Sequence, residues 1–367
     1  MEESPFEAEF TPNWEGLRDC IMREGTPDRT YHIELFLDAE VKEAICDRYG
    51  IADDLDPDKE FYAQKREIAI NRFLGYDYVR QGVEGLDMPL KKCAAEDTAD
   101  LSREGGRRYM EEHEGPITSW EDFENYPWPD PEQATTRALD WYEENLPEDM
   151  CLIGSGGFAH FAEHLTWLMG YESLCYALYD QRDLVEAISN RLTEMYRVAI
   201  RRMLEFDRVK IVWGSDDMGF KTGTLISPDD LREFVLPGHK LMARMSHEAG
   251  RPYLLHACGN LETIMTDLIE DVEIDARHSF EDTIEPVTLA VERYGDRIAL
   301  LGGIDVDFLC RADEGQIRKR VRETLEQCMP GGGYCLGSGN SVANYIPLDH
   351  YLAMVDEGRR FDPNAGA

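Results

Sequence analysis

Eight short apolar runs, each followed by a stretch with helical spacing, recur along the chain. They are residues 31–37 (YHIELFL), 76–80 (YDYVR), 151–154 (CLIG), 209–214 (VKIVWG), 253–257 (YLLHA), 274–277 (IDAR), 298–303 (IALLGG) and 333–337 (GYCLG). Near-continuous apolar runs of this length are how strands buried on both faces read, which points to a parallel sheet. Between them, 228–234, 261–269, 285–294 and 316–328 carry apolar residues at helical spacing. Ser227 stands where an N-cap is needed, and Asp229 and Asp230 place negative charge in the first turn that follows. Strand–helix alternation predicts an α/β fold, and eight units predict a closed (β/α)8 TIM barrel. An open, doubly wound sheet is the alternative.

Two stretches break the rhythm. Residues 94–148 are acidic and aromatic, with Ser119 opening a short helix and prolines closing it, and they read as an insertion between strands 2 and 3 that covers the barrel mouth. The first 25 residues read as a helical lead-in, with its helix over 13–23. No Gly/Ser linker divides the chain, so residues 1–367 are expected to form a single domain.

The formal net charge is -36, which repels a phosphate backbone and argues against a nucleic-acid partner. No apolar run approaches the length of a membrane span, and the start, Met1-Glu2-Glu3, lacks the basic and apolar features of a signal peptide. A cytoplasmic location is expected. Nine cysteines without paired spacing then read as reduced thiols.

Barrel active sites are built at the C-terminal ends of the strands. Here those ends carry Gly214-Ser215-Asp216-Asp217, His256-Ala257-Cys258-Gly259-Asn260, Asp275 with His278, Gly302-Gly303-Ile304-Asp305 and Gly337-Ser338-Gly339-Asn340. Polar and ionisable groups at so many equivalent positions are more than a core requires. His256 and Cys258, two apart on a strand, project to one side. An imidazole and a thiolate on one face suit zinc, which needs at least one further ligand. Cys335 is the candidate third metal ligand, and Asp216 and Asp217 are candidate carboxylate partners with catalytic roles alongside His256. A hydrogen-bonded core histidine beside an inert cysteine is the plainer account of the pair. Gly303, Asp305, Ser338 and Asn340 are candidate substrate-binding residues, since glycine-rich rims expose backbone N–H groups, although such glycines also simply permit turns. His160 and His164, four apart beside Glu163, read as part of a closely packed helix.

Several of these segments together resemble the uroporphyrinogen decarboxylase superfamily. They are Gly214–Asp217 with Leu225-Ile226-Ser227-Pro228, Leu255–Asn260, Leu301–Asp305, and Gly333–Asn340 followed by Pro347. The resemblance implies a (β/α)8 barrel and two branches of chemistry. One branch decarboxylates the acetate arms of a porphyrinogen without a cofactor. The other binds zinc and moves methyl groups between a thiol or methylated substrate and a corrinoid carried by a partner protein. The arginine-rich N-terminal motif of the decarboxylases is missing from Met22–Arg29, and Leu255–Asn260 resembles the zinc motif of the methyltransferases. Asn340 stands where that branch usually has its later cysteine, and Cys335 lies five residues earlier. The expectation is a zinc-dependent methyltransferase with a small-molecule substrate and a corrinoid protein partner. The alternatives are a decarboxylase-like enzyme and a non-catalytic barrel that binds a corrinoid carrier.

Overall fold

Where aliphatic residues run unbroken, the chain forms strands. The computed structural model describes residues 2–103, 106–111 and 113–363. In chain order its strands are β1 (Tyr78–Gln81), β2 (Lys92–Ala95), β3 (Arg107–Met110), β4 (Cys151–Gly154), β5 (Val209–Asp217) and β6 (Gly219–Phe220). They continue with β7 (Gly223–Thr224), β8 (Tyr253–Cys258), β9 (Ala276–His278), β10 (Ala299–Leu301) and β11 (Tyr334–Cys335). Seven of them make one all-parallel sheet in the order β1-β4-β5-β8-β9-β10-β11. All four residues of β4 and five of the six in β8 are buried, as strands covered on both faces must be. A doubly wound sheet would reverse its strand order at a switch point. This order follows the sequence without reversal, and the sheet is curled and wrapped by helices in the manner of a TIM-like barrel.

The first expected strand behaves differently from the rest. Residues 31–37 touch the far end of the sheet only through isolated parallel bridges, His32 to Leu336 and Leu37 to Val342. On their other side the Tyr78 hydroxyl reaches the Glu34 backbone, accepting from its N–H at 2.8 Å and donating to its carbonyl at 3.2 Å. A side chain thus spans the seam where a ladder would otherwise run.

Helix ends follow the capping chemistry. Ser227 caps the helix Pro228–Phe234 by accepting from the Asp230 N–H. Asp313 and Gln316 form a reciprocal capping box on Glu314–Cys328. Asn13 caps Trp14–Ile21, ahead of the first run, and Ser119 caps Trp120–Asn125. Between β1 and β4 lie the antiparallel pair β2–β3 and the helices Trp120–Asn125 and Arg137–Asn145. The hairpin region is tied to the chain beyond β11: Asn344 donates to Asp97 at 2.8 Å and accepts from Arg107. Among the described residues no helix is long and apolar enough to cross a membrane.

Candidate active site

Strand register assembles the site. In the β5–β8 pairing Asp217 lies beside Cys258 and Ser215 beside His256; in β8–β9, His256 lies beside His278. Residues two apart on a strand share a face, so Trp213, Ser215 and Asp217 point one way and Asp216 the other. The result is a cluster of Asp217, His256 and Cys258 whose ligand atoms all lie within 4.8 Å of one another. The Cys258 Sγ is 3.3 Å from His256 Nε2, which is 3.9 Å from Asp217 Oδ1. Two donors on one tetrahedral zinc stand roughly 3.3–3.6 Å apart, so these three need only small movements to share an ion.

The surroundings support the donors. The His256 and His278 Nδ1 atoms are 2.7 Å apart, so one ring donates to the other. With the proton on His256 Nδ1, its Nε2 lone pair faces the cluster, the arrangement a ligating histidine needs. The Cys258 sulfur receives Asn340 Nδ2 at 3.2 Å and Ser279 Oγ at 3.4 Å. Ser279 is held at φ +91°, a conformation costing a non-glycine residue about 1–3 kcal/mol, and this aims its hydroxyl at the sulfur. Burial, then the neighbouring Asp217, pushes the Cys258 thiol well above its ordinary range. Burial, followed by the charges of His278 and Arg80, keeps His256 neutral far below its usual value. Gly259 follows at φ +86°, and a Cβ there would sit 2.1 Å from the Gly219 carbonyl carbon. Only glycine lets the β6–β7 hairpin lie against the end of β8.

Several residues singled out in the sequence do other work. Asp216 is fully buried and faces away from the cluster, accepting from the N–H groups of Phe161, Ala162, Glu163 and Asp217 and from His239 Nε2. It anchors the N-terminus of the helix Phe161–Met169. Cys335 does not reach the cluster: its Sγ lies 3.9 Å from that of Cys20 on the helix Trp14–Ile21, in the core. The residue that groups with His256 and Cys258 is Asp217. Gly303, at φ +104°, is packed against Val287, and Asp305 caps Val306–Arg311 while accepting from the Asp282 N–H. Ser338 gives both its N–H and its hydroxyl to the buried Glu34. Of the four candidate substrate-binding residues, only Asn340 joins the cluster. Asp275 sits at the opposite end of β9 with His247.

Beside the cluster, at the C-terminal ends of β1, β4 and β5, opens a cavity of about 480 Å³. Trp213 and Ser215 line it from the same face of β5 that carries Asp217. His160 also lines it, hydrogen-bonded through Nδ1 to Glu163. Burial lifts the Glu163 carboxyl to about 7. Burial pulls His160 down, but the Glu163 bond and charge outweigh it and the imidazole ends above its usual value. His160 and Glu163 read from the sequence as part of a packed helix with no role at a site, and Ser279 and Arg80 were passed over because nothing in their spacing marks them.

The model of the family described as Uroporphyrinogen decarboxylase (URO-D) matches residues 109–361. The chain belongs to the uroporphyrinogen decarboxylase family. Members of this family are enzymes, methyltransferases or decarboxylases. A methylated-thiol–coenzyme M methyltransferase of Methanosarcina mazei is 33% identical over 135 residues, 36% of this chain and 34% of that protein. The match thus spans about a third of that relative's length. A uroporphyrinogen decarboxylase of Pseudoalteromonas atlantica is 24% identical over 273 residues, 69% of this chain and 73% of that protein. In three dimensions, this family member superposes on a methyltransferase from Methanosarcina mazei with a TM-score of 0.67 at 18% identity, covering 94% of this chain and 97% of that one. That likeness shows the fold.

Proposed function

We propose that the chain is a single-domain (β/α)8-barrel enzyme, with residues 94–148 inserted over its mouth, that acts in the cytoplasm as a zinc-dependent methyltransferase. It moves a methyl group between a methylated substrate or thiol and a corrinoid held by a partner protein. The observation that carries this reading is the Asp217–His256–Cys258 donor set at the C-terminal rim. The matched segment of the methylated-thiol–coenzyme M methyltransferase supports it.

His256, Cys258 and Asp217 would hold the zinc, whose Lewis acidity would keep a substrate sulfur in its nucleophilic thiolate form at neutral pH. The chain's own groups prepare that site. His278 fixes the tautomer of His256, while the Asn340 amide and Ser279 hydroxyl donate to the Cys258 sulfur and so favour its thiolate. The His160–Glu163 pair holds a proton on the cavity wall, where it can receive the one a thiol gives up. Decarboxylation of a porphyrinogen asks for several cations facing a polycarboxylate. Among the described residues the cavity offers one guanidinium without a carboxylate partner, Arg80, since Lys42 is paired with Glu67 at 2.7 Å.

Elemental analysis of the purified protein tests the proposal: about one zinc per chain is expected, falling below a tenth in Cys258→Ser and His256→Ala. Methyl transfer from a methylated thiol to a corrinoid protein is the activity to assay. Metal-free protein that decarboxylates a porphyrinogen overturns the reading.

A further inference from the structure

Two thiols that the proposed chemistry does not use meet where the start of the chain packs against its last sheet strand. Cys20, in the final turn of the helix Trp14–Ile21, places its Sγ 3.9 Å from that of Cys335 on β11, 315 residues further along the chain. It also donates to the Tyr334 carbonyl of the same strand at 3.3 Å. Both side chains are buried and both cysteines are free. About 2 Å of approach separates these sulfurs from the roughly 2.05 Å of a disulfide. The place is one where the fold is thinly held. β11 is two residues long, and beyond it residues 31–37 add only isolated bridges. The helix has eight residues, too few to be stable alone, so it keeps its position only by packing. The strand it packs on runs on to Ser338 and Asn340, which donate to Glu34 and to the Cys258 sulfur.

We infer that Cys20 and Cys335 are a modification site, a dithiol that a low-molecular-weight disulfide oxidises to a bond stapling the lead-in helix to β11. The step is thiol–disulfide exchange. The Cys20 thiolate attacks one sulfur of the reagent, whose S–S bond breaks and releases a first thiol. The Cys335 thiolate then displaces a second thiol from the mixed disulfide. Two electrons pass from the pair to the reagent, and the two protons leave on the two released thiols. The hydrogen bond to Cys20, then burial, holds the Cys335 thiol protonated well above its ordinary range, so exchange waits on opening of the helix at the chain's start. A reducing cytoplasm keeps such a pair open, and the bond forms when the surroundings turn oxidising. Closing a loop of 315 residues restricts the unfolded chain far more than the folded one, so the staple stabilises the barrel.

The probe is oxidised glutathione, in millimolar excess over dilute protein. Tandem mass spectrometry of tryptic peptides, kept unreduced, is expected to show residues 19–23 joined through Cys20 to Cys335 in a chain that still migrates as a monomer. The urea midpoint of the oxidised chain should rise by about 0.5–1 M and return on treatment with dithiothreitol. Cys20→Ala and Cys335→Ala should each lose both the linked peptide and the rise. Cys258→Ser, which removes the thiol of the donor cluster, should keep both. Circular dichroism checks that each variant is folded, and the oxidised and reduced wild type decide between them even if none is. Absence of the linked peptide from the oxidised wild type, a link found only between two chains, a linked chain whose midpoint has not moved, or a rise that survives Cys335→Ala overturns the proposal.

Discussion

Replacing Asp216 by Asn should damage the fold and leave the chemistry of the cluster largely intact. The two carboxylate oxygens divide five donors between them. Oδ2 accepts from Phe161 N, Ala162 N and His239 Nε2 at 2.9–3.1 Å, and Oδ1 from Glu163 N and Asp217 N at 2.9 and 3.0 Å. An amide has one acceptor oxygen. Its best orientation serves the three donors on one side and turns an NH2 group against the two backbone N–H groups on the other. Each orphaned buried donor costs about 1–3 kcal/mol, and the surviving bonds lose their charge assistance. The sum is about 3–5 kcal/mol, a large part of the roughly 5–15 kcal/mol that holds a domain together. Urea unfolding followed by circular dichroism and tryptophan fluorescence should show the midpoint drop with unchanged slope. Zinc per folded chain should remain near one. A loss under about 1 kcal/mol accompanied by loss of metal would refute the reasoning, because it would place Asp216 among the working groups.

Other consequences follow from the same contacts. Cys335→Ala should keep full zinc stoichiometry and cost about 1 kcal/mol in a melting experiment, since its sulfur packs against Cys20 and away from the cluster. His278→Ala should weaken zinc binding by about 10–100-fold in a competition titration with a chromogenic chelator, because it removes the group that orients His256. Glu34 is lifted by burial from its ordinary 4.5 to about 8, so between those values the native state holds a proton that the unfolded chain has released. Stability should therefore decline as pH rises from about 5 to 8, on the order of a few kcal/mol, and Glu34→Gln should flatten that slope in urea titrations across the range. An unchanged slope would show that Ser338 donates to an already ionised carboxylate.

Much of the scaffold was legible because it rests on local rules. Apolar runs located the seven sheet strands, and Ser227 announced its helix through a side chain that reaches only three residues along the chain. The His256–Cys258 pair was readable for the same reason, since a strand's period of two is independent of its neighbours. What the sequence left open depended on relations between strands. Whether Asp216 or Asp217 faces the cluster is decided by the phase of β5 against β8, and Cys335 was put forward because it lies on the eighth expected strand, whereas its sulfur lies against Cys20 on the helix Trp14–Ile21. The run at 31–37 looks as apolar as the others, but a tyrosine hydroxyl fills one of its seams. Arg80 and Ser279 carry no pattern at all. The first matters because, among the described residues, no carboxylate pairs with it, and the second because of one backbone angle.

The adjacency of Asp216 and Asp217 has a consequence for how this protein can vary. Removing or adding a single residue between Trp213 and Asp217 would turn the carboxylate that secures a helix toward solvent-accessible space and bury the one that faces the donors. Both duties would be lost in one event, whatever the identity of the residue involved. This short stretch should therefore tolerate substitution at individual sites far better than any change in length, and libraries that shuffle loop sizes around the rim should leave its count untouched.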